Sequence, residues 1–270
     1  MPTVSPVPGA SGASGACSTS GTPAHPYAVL TAQRLLPVLR NADADEAVRA
    51  ATRLLAAGCR AVELTTSTPG WAGAVARTAG LADVHGRRAV IGVGTVTTAA
   101  QATAALDAGA AFLVSPYPAP EVREVAGRRG AVFIEGGFTP AEIASAVRAT
   151  GAAKVFPAHV GGPRFVRSLR AVLPDAVLVP TGGIRPDEVP AWIAAGATAV
   201  GIGDGLPADP AELAALFADP ADDPGCGAPG ERGPAVQVAV QPAVRPAVQA
   251  AVQAAVRPAV QAVAAPELQP

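Results

Sequence analysis

Between about residues 27 and 219, eight short runs of β-forming residues alternate with Ala-rich segments of helical period, and no other feature restricts the fold as much. The runs are Leu35–Arg40, Ala61–Thr66, Ala89–Val96, Ala111–Pro116, Ala131–Gly136, Ala153–Ala158, Ala176–Gly182 and Thr198–Gly203. A helical stretch follows each. In the first, Ala47, Ala50, Ala51, Leu54 and Leu55 share one face behind Asp43, a residue type that caps helix N-termini. Gly58, Gly109, Gly151 and Gly196 stand where helices should close before the next strand. Eight βα units in about 190 residues leave two architectures, a closed parallel barrel or a doubly wound open sheet. Polar residues decide between them. Arg40 ends the first run, Glu63 with Thr65 and Thr66 lies in the second, Thr95 in the third, Ser115 in the fourth, Lys154 in the sixth and Thr181-Gly182-Gly183 after the seventh. An open sheet gathers ligand groups at one switch point, whereas polar residues from nearly every strand converge only if the sheet closes. The expected fold is therefore α/β, a single (β/α)8 TIM barrel over 27–219.

The flanks read differently. Residues 1–26 are Pro, Gly, Ser, Ala and Thr with few large apolar side chains and are expected to be disordered. From 220 to 270 an Ala/Val/Pro/Gln theme places Val at 236, 240, 244, 248, 252, 256 and 260. A spacing of four drifts about 40° per step around a helix, and Pro242, Pro246 and Pro258 break the hydrogen-bond ladder. A low-complexity extension is expected, with a partner-binding helix over the Pro-free 247–257 as the alternative.

Composition excludes several classes. Twenty basic residues face 21 acidic ones with no block of either sign, so no nucleic-acid partner is expected. Cys17, Cys59 and Cys226 have no metal-ligand spacing and are odd in number, which fits a reducing compartment. No run of about eighteen apolar residues suggests a membrane span, and the first residues lack the pattern of a secretory signal. A cytoplasmic location is expected.

Of the 20 basic residues, 19 are Arg and one, Lys154, is Lys. Arg can replace Lys in solvated ion pairs, but its guanidinium cannot serve as an amine nucleophile. Lys154 stands in Ala-Ala-Lys-Val-Phe-Pro-Ala, a strand context where an ammonium must be paired or must exist part of the time as the free amine that forms imines. Glu63, in Ala-Val-Glu-Leu-Thr, is a second charge on an apolar strand. Strands two and six lie on opposite sides of an eight-stranded barrel, yet long side chains can meet across its mouth, where a carboxyl group can shuttle protons. The structural alternatives are an ion pair for Lys154 and a neighbouring Arg or helix for Glu63.

Thr181-Gly182-Gly183 and Gly201-Ile202-Gly203-Asp204-Gly205 occupy the places after strands seven and eight where barrels bind phosphate through backbone N–H groups. Tight βα loops select Gly as well. Asp204 adds negative charge beside that position. Arg40 offers a fork of donors to a carboxylate, or a salt bridge. Thr95, in Gly-Val-Gly-Thr-Val, offers a hydroxyl and backbone donors to the same carboxylate, or is a threonine of ordinary β preference. His25 and His85 read as loop histidines, and His159 stands near the mouth.

Taken together, residues 34–217 resemble the 2-keto-3-deoxy-6-phosphogluconate / 4-hydroxy-2-oxoglutarate aldolase family, and in particular its 2-keto-3-deoxy-6-phosphogalactonate branch. The resemblance rests on Leu-Pro-Val-Leu-Arg (36–40), Ala-Val-Glu-Leu-Thr (61–65), Gly-Val-Gly-Thr-Val (92–96), Val-Ser-Pro (114–116), Lys-Val-Phe-Pro-Ala (154–158), Gly-Pro-Arg-Phe-Val (162–166) and Pro-Thr-Gly-Gly-Ile (180–184). It implies a lyase, a class I aldolase of carbohydrate metabolism. Lys154 would form a pyruvyl Schiff base and Glu63 act as general acid/base. Thr95 would help hold the pyruvate carboxylate, and Gly182 and Gly183 would border a phosphate site. Ser115 and Gly203 stand in the same motifs as substrate-binding candidates. Family members are metal-independent trimers, so neither cofactor nor metal is implied, and a homotrimer is.

The chain departs from the family pattern at three places. Ser67 replaces an Arg four residues after the Glu, which would shift carboxylate recognition to Arg40. Asp204 replaces a Ser that assists phosphate binding, and Glu135-Gly136-Gly137 replaces a Pro-Gly after strand five. The expected reaction cleaves a phosphorylated 2-keto-3-deoxy sugar acid, or 4-hydroxy-2-oxoglutarate, to pyruvate and an aldehyde. Two other readings stand beside it: another phosphate-binding barrel enzyme, such as an isomerase or synthase, and a non-catalytic barrel whose tail recruits a partner.

Overall fold

A computed structural model of the chain describes residues 24–81 and 86–218. Eight parallel strands form the centre: β1 (Leu35–Leu39), β2 (Ala61–Thr65), β3 (Val90–Gly94), β4 (Phe112–Val114), β5 (Val132–Gly137), β6 (Ala152–Val155), β7 (Val177–Pro180) and β8 (Val200–Ile202). The helices are α1 (Pro26–Gln33), α2 (Ala44–Ala56), α3 (Trp71–Thr78), α4 (Ala99–Asp107), α5 (Pro120–Arg129), α6 (Pro140–Thr150), α7 (Ala158–Val172), α8 (Val189–Ala194) and α9 (Pro210–Ala215). The strands pair in the order β7-β6-β5-β4-β3-β2-β1-β8. A parallel bridge between Thr181 and Gly201 brings β7 back to β8, and the Thr198 N–H donates to the Leu178 carbonyl at 2.8 Å. The sheet is the expected (β/α)8 barrel.

Local signals act as their chemistry dictates. The Asp43 side chain accepts the Glu46 N–H and caps α2, which buries Ala47, Ala51, Leu54 and Leu55 and leaves Ala50 half-buried. Thr139 and Glu142 form a reciprocal capping box at α6, and the three donors that Thr139 and Phe138 direct at Glu142 hold its carboxyl below the usual range. Gly58, Gly109, Gly151 and Gly196 all take the positive φ expected of helix-closing glycines.

Except for β5, which keeps its six residues shifted by one, the strands are shorter than the β-type runs that predict them. Propensity does not register the point at which a parallel strand loses its neighbour and turns into a loop. Pro116, Val96, Gly182 and Gly203 all lie past their strand ends. The sixth run gives up its last three residues, because Phe156 and Pro157 lead into α7 at Ala158. Glu135, Gly136 and Gly137 lie within β5, not in the loop after it.

One helix has no counterpart in the sequence reading. α1 precedes β1, and its Val29 and Leu30 pack with Leu36, Ala61, Val90, Phe112, Ala152, Val177 and Ala199, inward residues near the N-terminal ends of the strands. It plugs that end of the barrel. Gln33 fixes it there, donating to the Leu35 and Ala61 carbonyls and accepting the Arg60 and Ala61 N–H groups. With this end filled by side chains, a ligand must enter from the other. Apart from residues 24–26, the expected N-terminal tail lies outside the described residues, as does the whole repeat segment 220–270. No helix among the described residues is long and apolar enough to cross a membrane.

Candidate active site

Alternation decides which strand residues face the barrel axis. Ala61, Val90, Phe112, Ile134, Ala152 and Val177 line the interior, and two residues further along β2 and β6 the same parity presents Glu63 and Lys154. Both are buried, with 1% and 6% of their side chains exposed. Lys154 Nζ lies 3.6 Å from Glu63 Oε1, within ion-pair reach but beyond hydrogen-bond length. Among the described residues Glu63 Oε1 has no hydrogen-bond partner. Leaving a buried polar atom unsatisfied costs about 1–3 kcal/mol, so this carboxylate is a poor structural prop and a suitable proton carrier.

Glycine makes room for the meeting. A Cβ on Gly94 would lie 1.8 Å from Glu63 Oε1, so any side chain there would displace the carboxylate. A Cβ on Gly92 would lie 2.1 Å from the Phe112 ring, one layer closer to α1. The Gly-Val-Gly of β3 is therefore a packing device: Phe112 and Glu63 each occupy the space that an inward side chain would fill.

Phe156 connects this pair to the rim. Its ring centroid is 5.5 Å from Lys154 Nζ, within cation–π distance, and the ring would stand 3.0 Å from a Cβ on Gly182. Gly182 and Gly183 follow β7 with φ of 98° and 68°, values that only glycine adopts cheaply. The His159 ring lies against Gly183, and its Nδ1 is 3.3 Å from the Gly182 carbonyl. Lys154, Phe156, Gly182, Gly183 and His159 thus form a continuous track leading outward from the amine. Phe156 stands inside the Lys-Val-Phe-Pro motif, yet nothing in its residue type reveals that it roofs the lysine.

The other candidates are placed as follows. Thr95 comes directly after β3, half-buried, with φ of 60°. Arg40 follows β1, exposed, and its Nε donates to Ser67 Oγ at 3.1 Å, so the Ser that replaces the family's Arg holds this one. Ser115 is buried, its hydroxyl donating to the Tyr117 carbonyl and accepting the Gly136 N–H. The first contact closes the turn after β4, and the second ties the end of β4 to β5. Gly203, after β8, is exposed, with the Val38 carbonyl 4.0 Å from its added Cβ. Glu135 faces the helices, where Arg123 grips it with two guanidinium nitrogens and the Ala119 N–H donates to it at 2.7 Å. No three His, Cys, Asp or Glu side chains among the described residues come together in a way that could hold a metal ion.

A buried amine facing a carboxylate, with glycine-lined loops at the mouth, suits carbonyl chemistry on a small acid. Comparison with known proteins agrees. The family model for KDPG and KHG aldolases matches residues 27–211. The chain is 33% identical over 174 residues to the 2-dehydro-3-deoxy-6-phosphogalactonate aldolase of Escherichia coli, covering 64% of this chain and 83% of that one. It is 32% identical to a probable 2-dehydro-3-deoxy-6-phosphogalactonate aldolase of Rhizobium meliloti, covering 64% and 81%. Among solved structures, a 4-hydroxy-2-oxoglutarate/2-dehydro-3-deoxyphosphogluconate aldolase from TTHB1 superposes with a TM-score of 0.61 at 34% identity, over 71% of this chain and 94% of that one. The chain belongs to the KDPG and KHG aldolase family, whose members are lyases.

Proposed function

We propose that the protein is a class I aldolase that cleaves a 2-keto-3-deoxy sugar acid, phosphorylated at its far end, or 4-hydroxy-2-oxoglutarate, to pyruvate and an aldehyde. The observation that carries this reading is the buried approach of Lys154 Nζ to Glu63 Oε1 at 3.6 Å. An ion pair and a neutral amine–acid pair have the same net charge, so a proton can pass between the two groups without adding charge to the interior. The neutral amine attacks the C2 ketone, and Glu63 supplies and removes the protons needed to expel water and form the iminium. Deprotonation of the C4 hydroxyl breaks the C3–C4 bond, and the electron pair moves into the iminium to give an enamine. The aldehyde leaves, as glyceraldehyde 3-phosphate or glyoxylate. Protonation at C3 and addition of water then release pyruvate and restore the amine. The protonated imine is the electron sink, so the scheme uses no cofactor or metal.

The remaining assignments follow from position. Arg40 and Thr95 receive the C1 carboxylate, with Ser115 holding the adjoining wall. Gly182, Gly183 and Gly203 border the far end, where a Cβ on Gly205 would come 3.5 Å from Pro186, so the loops after β7 and β8 touch. Asp204 adds negative charge beside that corner, which disfavours a phosphate dianion relative to the single carboxylate at the far end of 4-hydroxy-2-oxoglutarate. A homotrimer in the cytoplasm, with the barrel over 27–219 as the catalytic domain, completes the reading.

A panel of phosphorylated and unphosphorylated 2-keto-3-deoxy acids, with 4-hydroxy-2-oxoglutarate, tests it by coupled detection of pyruvate. At least one acid should release pyruvate at least about 10⁶-fold faster than the uncatalysed reaction. A protein that releases none from the whole panel is not this aldolase.

A further inference from the structure

We propose that Thr66 is a positioning residue for substrate-carboxylate recognition, holding Thr95 in the left-handed backbone that turns its N–H and hydroxyl towards the bound acid; the proposal rests on the aldolase reading above. Among the described residues only Arg34 and Thr95 combine a side chain with positive φ. Arg34 is the C-cap of α1, an ordinary place for it. Thr95 is β-branched and follows directly on a strand, where that conformation is sterically costly and must be held by its surroundings.

The restraints are visible. The Thr66 N–H donates to the Gly94 carbonyl at 3.0 Å, and its hydroxyl donates to the Thr95 carbonyl at 2.7 Å. On the other side, the Val96 N–H donates to the Val114 carbonyl at 3.1 Å. The peptide after Thr95 is thereby turned back to β2. The Thr95 N–H and hydroxyl have no partner among the described residues. They sit one residue beyond Gly94, whose missing side chain accommodates the Glu63 carboxylate. Two adjacent donors next to the reacting pair match the two oxygens of a carboxylate. The neighbouring hydroxyls do a different job: Thr65 Oγ1 donates to the Leu39 carbonyl and contacts Ser67 Oγ at 2.9 Å, which pins β2 to β1 and to Arg40. Without the Thr66 hydroxyl, Thr95 loses the bond that opposes its steric cost and relaxes to negative φ, taking both donors out of position.

The test follows the initial rate at which borohydride traps pyruvate on the protein, as a function of pyruvate concentration. Thr66→Val, which keeps the shape, should raise the half-saturating pyruvate about 5- to 10-fold, the size of one lost hydrogen bond, and change the saturating rate less than about 2-fold. Thr66→Ser should stay within about 2-fold of the parent on both. In a Thr95→Gly background, where left-handed backbone needs no restraint, Thr66→Val should add less than about 2-fold. Thermal unfolding is recorded on every variant. If Thr66→Val lowers the unfolding temperature but leaves half-saturation unchanged, if Thr66→Ser behaves like Val, or if the effects multiply in the glycine background, Thr66 is merely structural and the proposal is wrong. Absence of trapping in the parent protein overturns the aldolase reading and this proposal together.

Discussion

Replacing Lys154 by Met should lower pyruvate release by more than about 10⁴-fold, because the buried amine that forms the imine is removed. Met is unbranched and close to the length of the lysine stem, so it fills the same buried space and the barrel should still fold. Far-UV circular dichroism would establish that. Lys154→Arg, which keeps the positive charge, should be as inactive as Met. An Arg variant retaining a tenth or more of the parent rate would mean that the side chain acts through its charge, and the Schiff-base scheme would fail. The comparison is unusually clean because Lys154 is the only lysine among 270 residues, leaving no second ε-amine to act in its place.

Glu63→Gln is expected to give the second largest effect, a fall of about 10²- to 10⁴-fold in turnover, the range typical of a lost general acid/base. Gln has nearly the same shape and can occupy the space over Gly94, so little packing changes. The amide cannot carry protons between water, amine and enamine. Formation of the imine should slow, yet saturating pyruvate with borohydride should still modify Lys154 eventually. Single-turnover kinetics measure the difference. A Gln variant with parent-like turnover would move the proton transfers to water or to another group and leave Glu63 as a counter-ion.

Much of this was legible in the residues, for reasons that also explain what was not. Charged side chains on apolar strands are conspicuous, so Glu63 and Lys154 stand out, and eight β runs alternating with Gly-closed helices, with polar residues on nearly every strand, specify a barrel in which they meet. α1 is different. Pro-Tyr-Ala-Val-Leu-Thr-Ala-Gln is short, lacks a polar face and follows a Pro/Gly/Ser segment, and its role as a plug depends on the barrel being there to receive Val29 and Leu30. Local pattern cannot show that. The same limit applies to β3, where Gly-Val-Gly reads as a motif but works through the absence of two side chains whose space Phe112 and Glu63 take. Ser115 shows a related limit: its place at a strand end suggests a ligand, but says nothing of the bonds that its hydroxyl makes to Tyr117 and Gly136. Thr66 looks like an ordinary β-forming threonine, and only the backbone angle of Thr95, whose carbonyl its hydroxyl meets, separates it from that role.

The most direct measurement is the mass of the peptide containing Lys154 after the protein is treated with pyruvate and borohydride. One reduced pyruvyl group on that residue, absent when either reagent is omitted and absent from Lys154→Met, is the predicted result. An unmodified Lys154 peptide, or label confined to the N-terminal amine, would contradict it.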